Sequence, residues 1–274
     1  MKKVSIITIN LNNKAGLEKT IKSVIAQSFD NYEFIVIDGA STDGSVDVME
    51  LYKENITFSS SEPDKGLYEA MNKGIRVAKG EYYYFLNSGD IFASTTVLEK
   101  AFREDVSESF LCGNFFFDYS GKHTKFDIYK NRDWSFSLYE IFADGLCHQA
   151  FFIKRDMFDK YGYYDENLRI ASDFKLFFIA IGIHQELVRY VDVDIVIYDT
   201  EGFSSHVGGK AILKEKQIVA RQELSKQVYD RIDSLHFLER NRYITDFVVS
   251  KKWIHYLFKA FFKICIKLKL TSVG

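Results

Sequence analysis

The sequence predicts an α/β fold with a Rossmann-like, mostly parallel sheet that carries helices on both faces. Two observations lead to this prediction. Short apolar runs of strand length alternate with segments whose apolar residues recur every three or four positions, and polar loops separate them. This alternation occupies residues 4–90, and the pattern changes after residue 100. We therefore expect a parallel half, then a small antiparallel sheet and C-terminal helices.

The parallel half contains four predicted strands joined by three helices. The strands at residues 4–9 and 34–37 are almost continuously apolar, as buried parallel strands are. A third strand near residues 56–60 precedes a helix whose apolar residues between 67 and 78 fall on one face. The fourth strand leads into Asp90. Strands that alternate with helices in this way are expected to pair in parallel through right-handed crossovers.

The second half mixes strands and helices less regularly. Residues 110–119 and 122–129 are predicted as antiparallel strands, and residues 147–153 as a further strand. Helical spacing covers residues 173–183, and residues 188–198 form one or two more strands. A loop rich in glycine and serine follows, which we expect a ligand to order.

Composition excludes several classes of protein. The 274 residues are 47% hydrophobic, enough to bury a large core, and the net charge of -2 provides no basic field for nucleic acid. The three cysteines lie far apart, which argues against a zinc site or a disulfide framework and is typical of a reducing compartment. No apolar run reaches the roughly 18 residues of a spanning helix. We therefore expect a cytoplasmic protein that is soluble or lies on a membrane surface.

Asp90 stands where a ligand is expected. The apolar run at residues 82–86 ends in Asn87, Ser88, Gly89 and Asp90. In open α/β sheets, ligands bind at the carboxyl ends of the strands. A carboxylate there can hold a hard divalent cation, with further oxygens supplied by the phosphates of a ligand. The alternative is that Asp90 caps the helix that follows.

An ordered set of motifs resembles the family 2 glycosyltransferases of the GT-A fold, which build bacterial surface polysaccharides. The resemblance covers residues 3–205. Its motifs are VSIIT (4–8), IDGASTDGS (37–45), EPDKG (62–66), AMNKGI (70–75), Gly80 with LNSGD (86–90), and ASD (171–173).

The resemblance implies that the first half binds a nucleotide-diphosphate sugar and a divalent cation, Mn²⁺ or Mg²⁺. Asp90 lies in the region of the family's DxD metal-binding motif, and Asn87 and Gly89 occupy positions where many members carry acids. The cation would stabilise the charge that develops on the departing diphosphate. The residues that the resemblance places at the nucleotide sugar are Thr8, Asn10, Asp38, Asp64, Lys65, Asn72, Asn87 and Ser88.

Two of these residues have alternative interpretations. By resemblance, Asp38 lies near the base or ribose, where its carboxylate accepts hydrogen bonds; otherwise it is a turn aspartate. Asp64 and Lys65 match the family's loop over the nucleotide, although a solvated turn would also place Lys65 there.

Asp173 matches the acid of the family's second signature, so the resemblance makes it the general base. It would take the proton of an acceptor hydroxyl that attacks the anomeric carbon and inverts its configuration. The alternative is a helix N-cap. His148 and Gln149 border the acceptor in similar enzymes, but a histidine beside a buried strand is more often a core residue. His206 is a weaker candidate for a metal or diphosphate contact.

The domain prediction follows the same division. Residues 1–205 form the GT-A catalytic domain, with a nucleotide-sugar half at 1–100 and an acceptor half, carrying the small antiparallel acceptor-side sheet, at 101–205. Residues 206–274 form a helical extension. Within it, about residues 247–270 carry lysines and no acid, with apolar residues at helical spacing. This pattern predicts an amphipathic helix on the inner face of the bacterial membrane, or one packed against the catalytic domain or a partner subunit.

The leading hypothesis is therefore an inverting glycosyltransferase that acts on a nucleotide sugar and a lipid-linked or glycan acceptor at the membrane surface. Its oligomeric state stays open. The first alternative is a sugar nucleotidyltransferase, which normally needs a glycine-rich phosphate loop near the first strand; residues 10–14 lack that pattern. The second is a non-catalytic membrane-surface scaffold with a degenerate fold, supported by the incomplete DxD region.

Overall fold

The computed structural model describes residues 3–130, 137–202 and 207–242. The chain divides into two compact units, residues 1–223 and residues 224–274. All strands of the described chain belong to the first unit, and the predicted boundary at residue 205 falls inside this unit. The segment expected to form a membrane-surface helix, about residues 247–270, lies outside the described residues. No helix within the described ranges is long and apolar enough to cross a membrane.

The four strands of the first half pair in parallel, as predicted. In space they follow the order β3-β2-β1-β4, so β1 lies between β2 and β4. Asn10 aligns with Asp38, and Asp38 aligns with Ser61, so three polar residues meet at one edge of the sheet. The strands are β1 (Val4–Asn10), β2 (Tyr32–Asp38), β3 (Phe58–Ser61) and β4 (Tyr82–Phe85).

The later strands extend this sheet and do not form a separate antiparallel sheet. Strand β8 pairs antiparallel with β4, and β6 pairs antiparallel with both β8 and β7. Strand β9 lies parallel to β6 and antiparallel to β5. Four of the pairings between described strands are parallel and four antiparallel, so the sheet is mixed rather than mostly parallel. The strands are β5 (Ile91–Phe92), β6 (Phe110–Tyr119), β7 (Lys122–Phe126), β8 (Phe151–Lys154) and β9 (Val188–Asp199).

The helices connect the strands, and a few side chains secure their ends. The Asn13 side chain accepts a hydrogen bond from the Gly16 amide and caps the first helix. Ser137 and Glu140 form a capping box at the start of α5. The helices are α1 (Lys14–Ile25), α2 (Ser45–Leu51), α3 (Leu67–Val77), α4 (Val97–Ala101), α5 (Leu138–Asp144), α6 (Arg155–Tyr161), α7 (Ser172–Phe177), α8 (Gly209–Glu223) and α9 (Lys226–Arg240).

Two segments differ from their predicted secondary structure. His148–Ala150 forms a 3₁₀ turn instead of the start of a strand. The Tyr129 hydroxyl accepts a hydrogen bond from the Cys147 amide, and the Tyr84 hydroxyl donates one to the Gln149 carbonyl. These backbone groups therefore bind side-chain hydroxyl groups instead of a neighbouring strand. The helix predicted at 173–183 becomes a π-helix at Phe178–Ile183, an irregularity that is frequent at functional sites.

Helix α3 packs unusually close to the central strand at Gly74. A Cβ atom at this position would lie 2.4 Å from Cγ2 of Ile7, a residue of β1 with no exposed surface. Such a distance is far inside van der Waals contact. Glycine therefore lets the backbone of α3 approach the sheet more closely than any other residue would.

The first prediction concerns this contact. Gly74→Ala should lower the free energy of unfolding by about 1 to 3 kcal/mol, because overpacking at Ile7 outweighs the helix propensity gained from alanine. Urea unfolding measures the change. Combining Gly74→Ala with Ile7→Ala tests the cause in a double-mutant cycle. The double variant should lose less stability than the two single variants together, and strict additivity would contradict the proposed clash.

Candidate active site

Asp38 organises the edge of the sheet where β1, β2 and β3 end. Its carboxylate has no exposed surface. One oxygen accepts from Asn10 Nδ2 at 2.7 Å and from Ser41 Oγ at 2.5 Å. The other accepts from the Ser41 amide at 2.9 Å and from Ser61 Oγ at 2.6 Å. Burial opposes ionisation, but the hydrogen bonds from Ser41, Ser61 and Asn10 prevail and lower the pKa of Asp38.

This geometry is that of the turn aspartate that the sequence left open as an alternative. Asp38 fixes the shape of the loop after β2. Thr8 is equally enclosed, and its hydroxyl donates to the Leu86 carbonyl at 2.7 Å, which ties β1 to β4. Asn10 Oδ1, in contrast, is buried and has no hydrogen-bond partner within the described ranges. Of these residues, Asn10 is therefore the one with a free acceptor atom.

The turn after β4 is held by the first helix. The Thr20 hydroxyl accepts from the Gly89 amide at 3.0 Å and donates to the Asp90 carbonyl at 2.7 Å. Ser88 and Asn13 exchange two further hydrogen bonds, each of 3.2 Å. These contacts fix the turn in one conformation, while Asn87 Oδ1 is buried without a partner among the residues described.

Asp90 does not cap a helix. It is 3% exposed, and its Oδ1 accepts from the Asp199 amide at 2.8 Å. Its Oδ2 has no hydrogen-bond partner in the part of the chain that the structure describes. Burial, to which the negative charge of Asp199 adds, raises the pKa of Asp90 to about 8. A buried oxygen without a partner in the described chain calls for a ligand that supplies one.

Asp199 is a site residue that the sequence analysis missed. It ends β9, and its carboxylate occupies the space beside Gly89. A Cβ atom at Gly89 would lie 2.7 Å from Asp199 Oδ2, and the backbone there has φ of 108°, a conformation that favours glycine. Asp199, from another strand, thus brings a second carboxylate to the turn at Gly89. The signal in the sequence was an aspartate at the end of the strand predicted at 188–198.

The oxygen atoms at this turn are of the types that a divalent cation binds. Asp90, Asp199 and Asn87 offer carboxylate and amide oxygens, the ligands that Mg²⁺ and Mn²⁺ prefer. No group of three or more histidine, cysteine or acidic side chains suited to a metal occurs in the described ranges. The remaining ligands of a bound cation would therefore come from phosphate oxygens or water.

The loop at residues 62–66 is anchored by Lys73 of α3. Lys73 Nζ lies 2.6 Å from Asp64 Oδ1 and 2.9 Å from Glu62 Oε1. Asp64 has its pKa raised because burial outweighs this ion pair. Lys65 is exposed, and its amide donates to Glu69. Lys73, which lies within the AMNKGI motif but was not singled out, is therefore the cation paired with Asp64.

Asn72 connects α3 to the loop before α7. Its amide nitrogen donates to the Tyr164 carbonyl at 2.8 Å and to Glu166 at 2.9 Å, and its oxygen accepts from the Tyr164 amide at 3.0 Å. Asn72 is 2% exposed. These hydrogen bonds of Asn72, which the resemblance places at the nucleotide sugar, thus position this loop.

Asp173 lies in a second polar centre, formed by α3, α7 and the turn at His148. Its Oδ1 accepts from the Tyr68 hydroxyl at 2.9 Å, and its Oδ2 lies 3.1 Å from His148 Nδ1. The N-cap of α7 is Ala171, so Asp173 does not serve as the N-cap. Burial opposes ionisation, but the hydrogen bonds from His148 and Tyr68 prevail and lower the pKa of Asp173.

His148 is not a satisfied core residue. Its side chain is 10% exposed, and Nε2 is buried with no hydrogen-bond partner among residues 3–130, 137–202 and 207–242. The ring makes an edge contact with Phe85, the last residue of β4, at a centroid distance of 6.5 Å. His148 thus lies beside the end of the strand that leads to Asp90.

Cys147 lies in the electrostatic field of both acidic centres. Burial raises the pKa of its thiol to about 12, and the charges of Asp90 and Asp173 both add to this shift. One side chain therefore lies within electrostatic reach of both carboxylates. Asp90 and Asp173 are separated by more than 80 residues in the sequence, yet the charges of both raise the pKa of this one thiol.

Two residues of α8 support the second centre, and neither was predicted. Glu215 accepts hydrogen bonds from the amides of residues 169, 170 and 171, at 3.0, 2.9 and 3.0 Å, and so fixes the entry to α7. Lys216 is 8% exposed and donates to the Phe142 carbonyl at 3.1 Å, at the end of α5. Burial lowers the pKa of Lys216 to about 8. His206 lies outside the described residues.

The second prediction uses the raised pKa of Asp90. An unfolded aspartate ionises near pH 4, so between about pH 4 and 8 the folded protein binds one proton more than the unfolded chain. Stability without metal should therefore fall as the pH rises through this range. Asp90→Asn removes the titration and should gain a few kcal/mol relative to wild type between pH 5 and 8.

Urea unfolding in EDTA over this pH range measures the difference. Asp159→Asn, at an exposed helical position, is the matched control and should follow the wild-type curve. If the free energy of unfolding changed with pH in the same way for wild type and Asp90→Asn, Asp90 would be ionised over the whole range and the prediction would be wrong.

Comparison with known sequences identifies related proteins. The model of "Glycosyl transferase family 2" matches residues 5–162, more than half of the chain. An uncharacterized glycosyltransferase of Mycobacterium tuberculosis is 34% identical over 212 residues, 74% of this chain and 77% of the relative. A PGL/p-HBAD biosynthesis glycosyltransferase of Mycobacterium bovis is 28% identical over 226 residues, 79% of this chain and 85% of the relative.

Comparison with solved structures identifies a chain of similar fold. Residues 1–349 of S. aureus TarS, crystallised in complex with UDP-GlcNAc, superpose with a TM-score of 0.67 at 16% identity. The alignment covers 91% of this chain and 76% of that chain. At this level of identity, the likeness establishes a common fold.

Proposed function

Because the chain belongs to glycosyl transferase family 2 and is a glycosyltransferase of the GT-A fold, we propose that it transfers a sugar from a nucleotide-diphosphate donor with inversion. The acceptor in this proposal is a lipid-linked or glycan hydroxyl of the cell surface. One observation carries the proposal. Buried polar atoms without partners in the described chain gather around the end of β4, at Asn87, Asp90 and His148.

The donor half of the proposal rests on the edge that Asp38 organises. Parallel strands end here, which is where nucleotides bind in open α/β sheets. We assign the nucleotide to the surface between the loop after β2, the 62–66 loop with Asp64 and Lys65, and the turn with Asn87 and Ser88. Asp38 and Thr8 support this surface from within.

A divalent cation fits the turn after β4, where Asp90, Asp199 and Asn87 would hold it. When bound, such a cation stabilises the negative charge on the departing diphosphate. The protein's own contribution is to fix the backbone of this turn through Thr20 and Asn13, so that little reorganisation is needed during the reaction.

The acceptor half of the proposal rests on the Asp173–His148 pair. A sugar hydroxyl is a weak nucleophile at neutral pH, so a base has to accept its proton as the oxygen attacks the anomeric carbon. Attack from the face opposite to the diphosphate inverts the configuration of that carbon. The sequence assigned the base to Asp173, and the structure adds His148 and Tyr68 to the same centre.

The acceptor class is supported by a relative and by the C-terminal sequence. The Mycobacterium bovis relative is named for PGL/p-HBAD biosynthesis, and the basic segment at about 247–270 suits a membrane surface. We therefore place the reaction at the cytoplasmic face of the membrane. Against the scaffold alternative we set Asp199, whose carboxylate lies beside Gly89 and in this proposal completes the DxD region. Because the chain belongs to glycosyl transferase family 2, we discard the sugar nucleotidyltransferase alternative.

The third prediction tests the donor reaction. Wild type with Mn²⁺ should hydrolyse at least one sugar nucleotide from a panel of UDP-GlcNAc, UDP-glucose, UDP-galactose, GDP-mannose and dTDP-rhamnose. Asp90→Ala should weaken binding of the corresponding nucleoside diphosphate about tenfold or more in Mn²⁺, and leave its affinity in EDTA unchanged. Calorimetry and release of the nucleoside diphosphate measure the two effects. Asp159→Asn is the control, and failure of wild type on every donor would refute the proposal.

The fourth prediction concerns the acceptor side. Asp173→Asn should keep the nucleotide affinity within about twofold and lower turnover by about 10² to 10⁴, the usual range for acid–base catalysis. Calorimetry and turnover with the same donor separate the two quantities. Equal turnover in wild type and Asp173→Asn would remove this residue from the reaction.

A further inference from the structure

Helix α7, which carries Asp173, receives no cap from its own N-terminal residue. The N-cap is Ala171, whose side chain has no hydrogen-bond acceptor. Backbone N–H groups at the start of a helix have no partner within it. Glu215 of α8, which lies 44 to 46 residues further along the chain, supplies the acceptors. Its two oxygens accept from the amides of residues 169, 170 and 171 at 3.0, 2.9 and 3.0 Å, so one carboxylate holds three successive backbone groups.

This contact sets the backbone that carries Asp173. Asp173 follows Ala171 by two residues and lies in the first turn of α7. Hydrogen bonds from backbone N–H groups to a carboxylate are among the stronger ones in proteins. Three of them to one planar group fix both the position and the direction of the chain at residues 169–171. A displacement of these residues would therefore move the carboxylate of Asp173.

Tyr68 and His148 hold Asp173 in a different way. The Tyr68 hydroxyl contacts Oδ1 at 2.9 Å, and His148 Nδ1 lies 3.1 Å from Oδ2. These contacts restrain the side-chain torsions of Asp173, whereas Glu215 holds the main chain. A carboxylate has about four acceptor positions, so its oxygens can accept from a substrate hydroxyl as well. Main chain and side chain both have to be held, because a base must lie within about 2.6 to 3.2 Å of the oxygen whose proton it takes.

Lys216, the next residue of α8, anchors this helix to α5. Its ammonium group donates to the Phe142 carbonyl at 3.1 Å and lies 5.0 Å from the ring centroid of Phe174. Carbonyl groups at the end of a helix carry partial negative charge, and N–H groups at the start of a helix carry partial positive charge. Two neighbouring residues of opposite charge thus bind backbone groups of opposite polarity. Lys216 thereby helps to keep Glu215 in place beside the start of α7.

We propose that Glu215 is a positioning residue of the transfer, which holds the entry to α7 and thereby directs the carboxylate of Asp173 towards the acceptor hydroxyl. This inference rests on the proposed glycosyl transfer and keeps Asp173 as its general base. Glu215 touches no substrate in this proposal and acts through the backbone. It adds to the reaction a residue from the C-terminal part of the chain, beyond residues 5–162 that the family model matches.

The three backbone donors require a carboxylate at this position. Both oxygens of a glutamate accept hydrogen bonds, whereas a glutamine offers one oxygen and an NH₂ group that only donates. In either orientation of the amide, Glu215→Gln places this NH₂ group against at least one of the three backbone N–H groups. The side chain keeps its size, so this substitution changes the hydrogen bonds and leaves the packing intact.

The fifth prediction compares Glu215→Gln with wild type on the fastest donor of the panel, at saturating Mn²⁺. The variant should lower kcat about 10- to 100-fold, because a misplacement of about 1 Å in a catalytic group can cost that much. Its affinity for the nucleoside diphosphate should stay within about twofold of wild type. Hydrogen exchange at the amides of residues 169–171 should become about tenfold faster. Glu223→Gln, at the exposed last residue of the same helix, is the matched control and should behave as wild type.

Combining Glu215→Gln with Asp173→Asn separates positioning from a general loss of structure. In Asp173→Asn, the side chain that Glu215 positions no longer acts as a base. Adding Glu215→Gln to this variant should therefore lower kcat by less than about twofold. A loss by the same factor in both backgrounds would overturn the inference. So would a kcat of Glu215→Gln within threefold of wild type, or unchanged hydrogen exchange at residues 169–171.

Glu215→Asp provides the same test if Glu215→Gln does not fold. It keeps the carboxylate but withdraws it by one methylene, so kcat should fall and the loss should again disappear in the Asp173→Asn background. Loss by an equal factor in both backgrounds would overturn the inference here too. Failure of wild type on every donor would refute the glycosyl transfer and this inference together. Normal turnover in wild type and in the Glu215 variants would refute this inference alone.

Discussion

The enclosed carboxylate of Asp38 is the constraint on which the site depends. An ionised carboxylate without exposed surface is tolerated only if hydrogen bonds replace its lost hydration, and here four donors do so. These donors come from Asn10 of β1, from Ser41 in the following loop and from Ser61 of β3. Satisfying one buried charge therefore fixes the ends of three parallel strands. The surface that we assign to the nucleotide is thus formed before any ligand arrives.

Helix α3 connects this edge to the second polar centre. Over two turns it contributes Tyr68 to Asp173, Asn72 to the loop at Tyr164, and Lys73 to Asp64. These side chains project from different sides of the helix, as the helical repeat requires. One helix therefore supports both the donor side and the acceptor side of the proposed site. Helix α8 has a similar supporting role, since Glu215 fixes the backbone just before α7.

Much of this was predictable from the sequence because the information is local. Apolar runs and helical periodicity gave the four parallel strands, and the position of Asp90 after a buried run gave its place at the edge of the sheet. Asp199 was missed because its proximity to Asp90 spans 109 residues, and no periodicity encodes such a contact. The 3₁₀ turn at His148 was mistaken for a strand because the hydroxyl groups of Tyr84 and Tyr129, distant in sequence, decide its backbone. His148 was undervalued for the same reason, since its partner Asp173 lies in another element.

The close approach at Gly74 has a consequence for engineering. Because Ile7 packs against its backbone at Gly74, α3 lies close to the central strand and forms a strut that two loops contact. The 62–66 loop lies at one side of this strut and the loop before α7 at the other. A library that randomises one loop should leave the geometry of the other intact. Specificity for the donor sugar and specificity for the acceptor should then evolve separately, through changes in one loop or the other, while α3 stays unchanged.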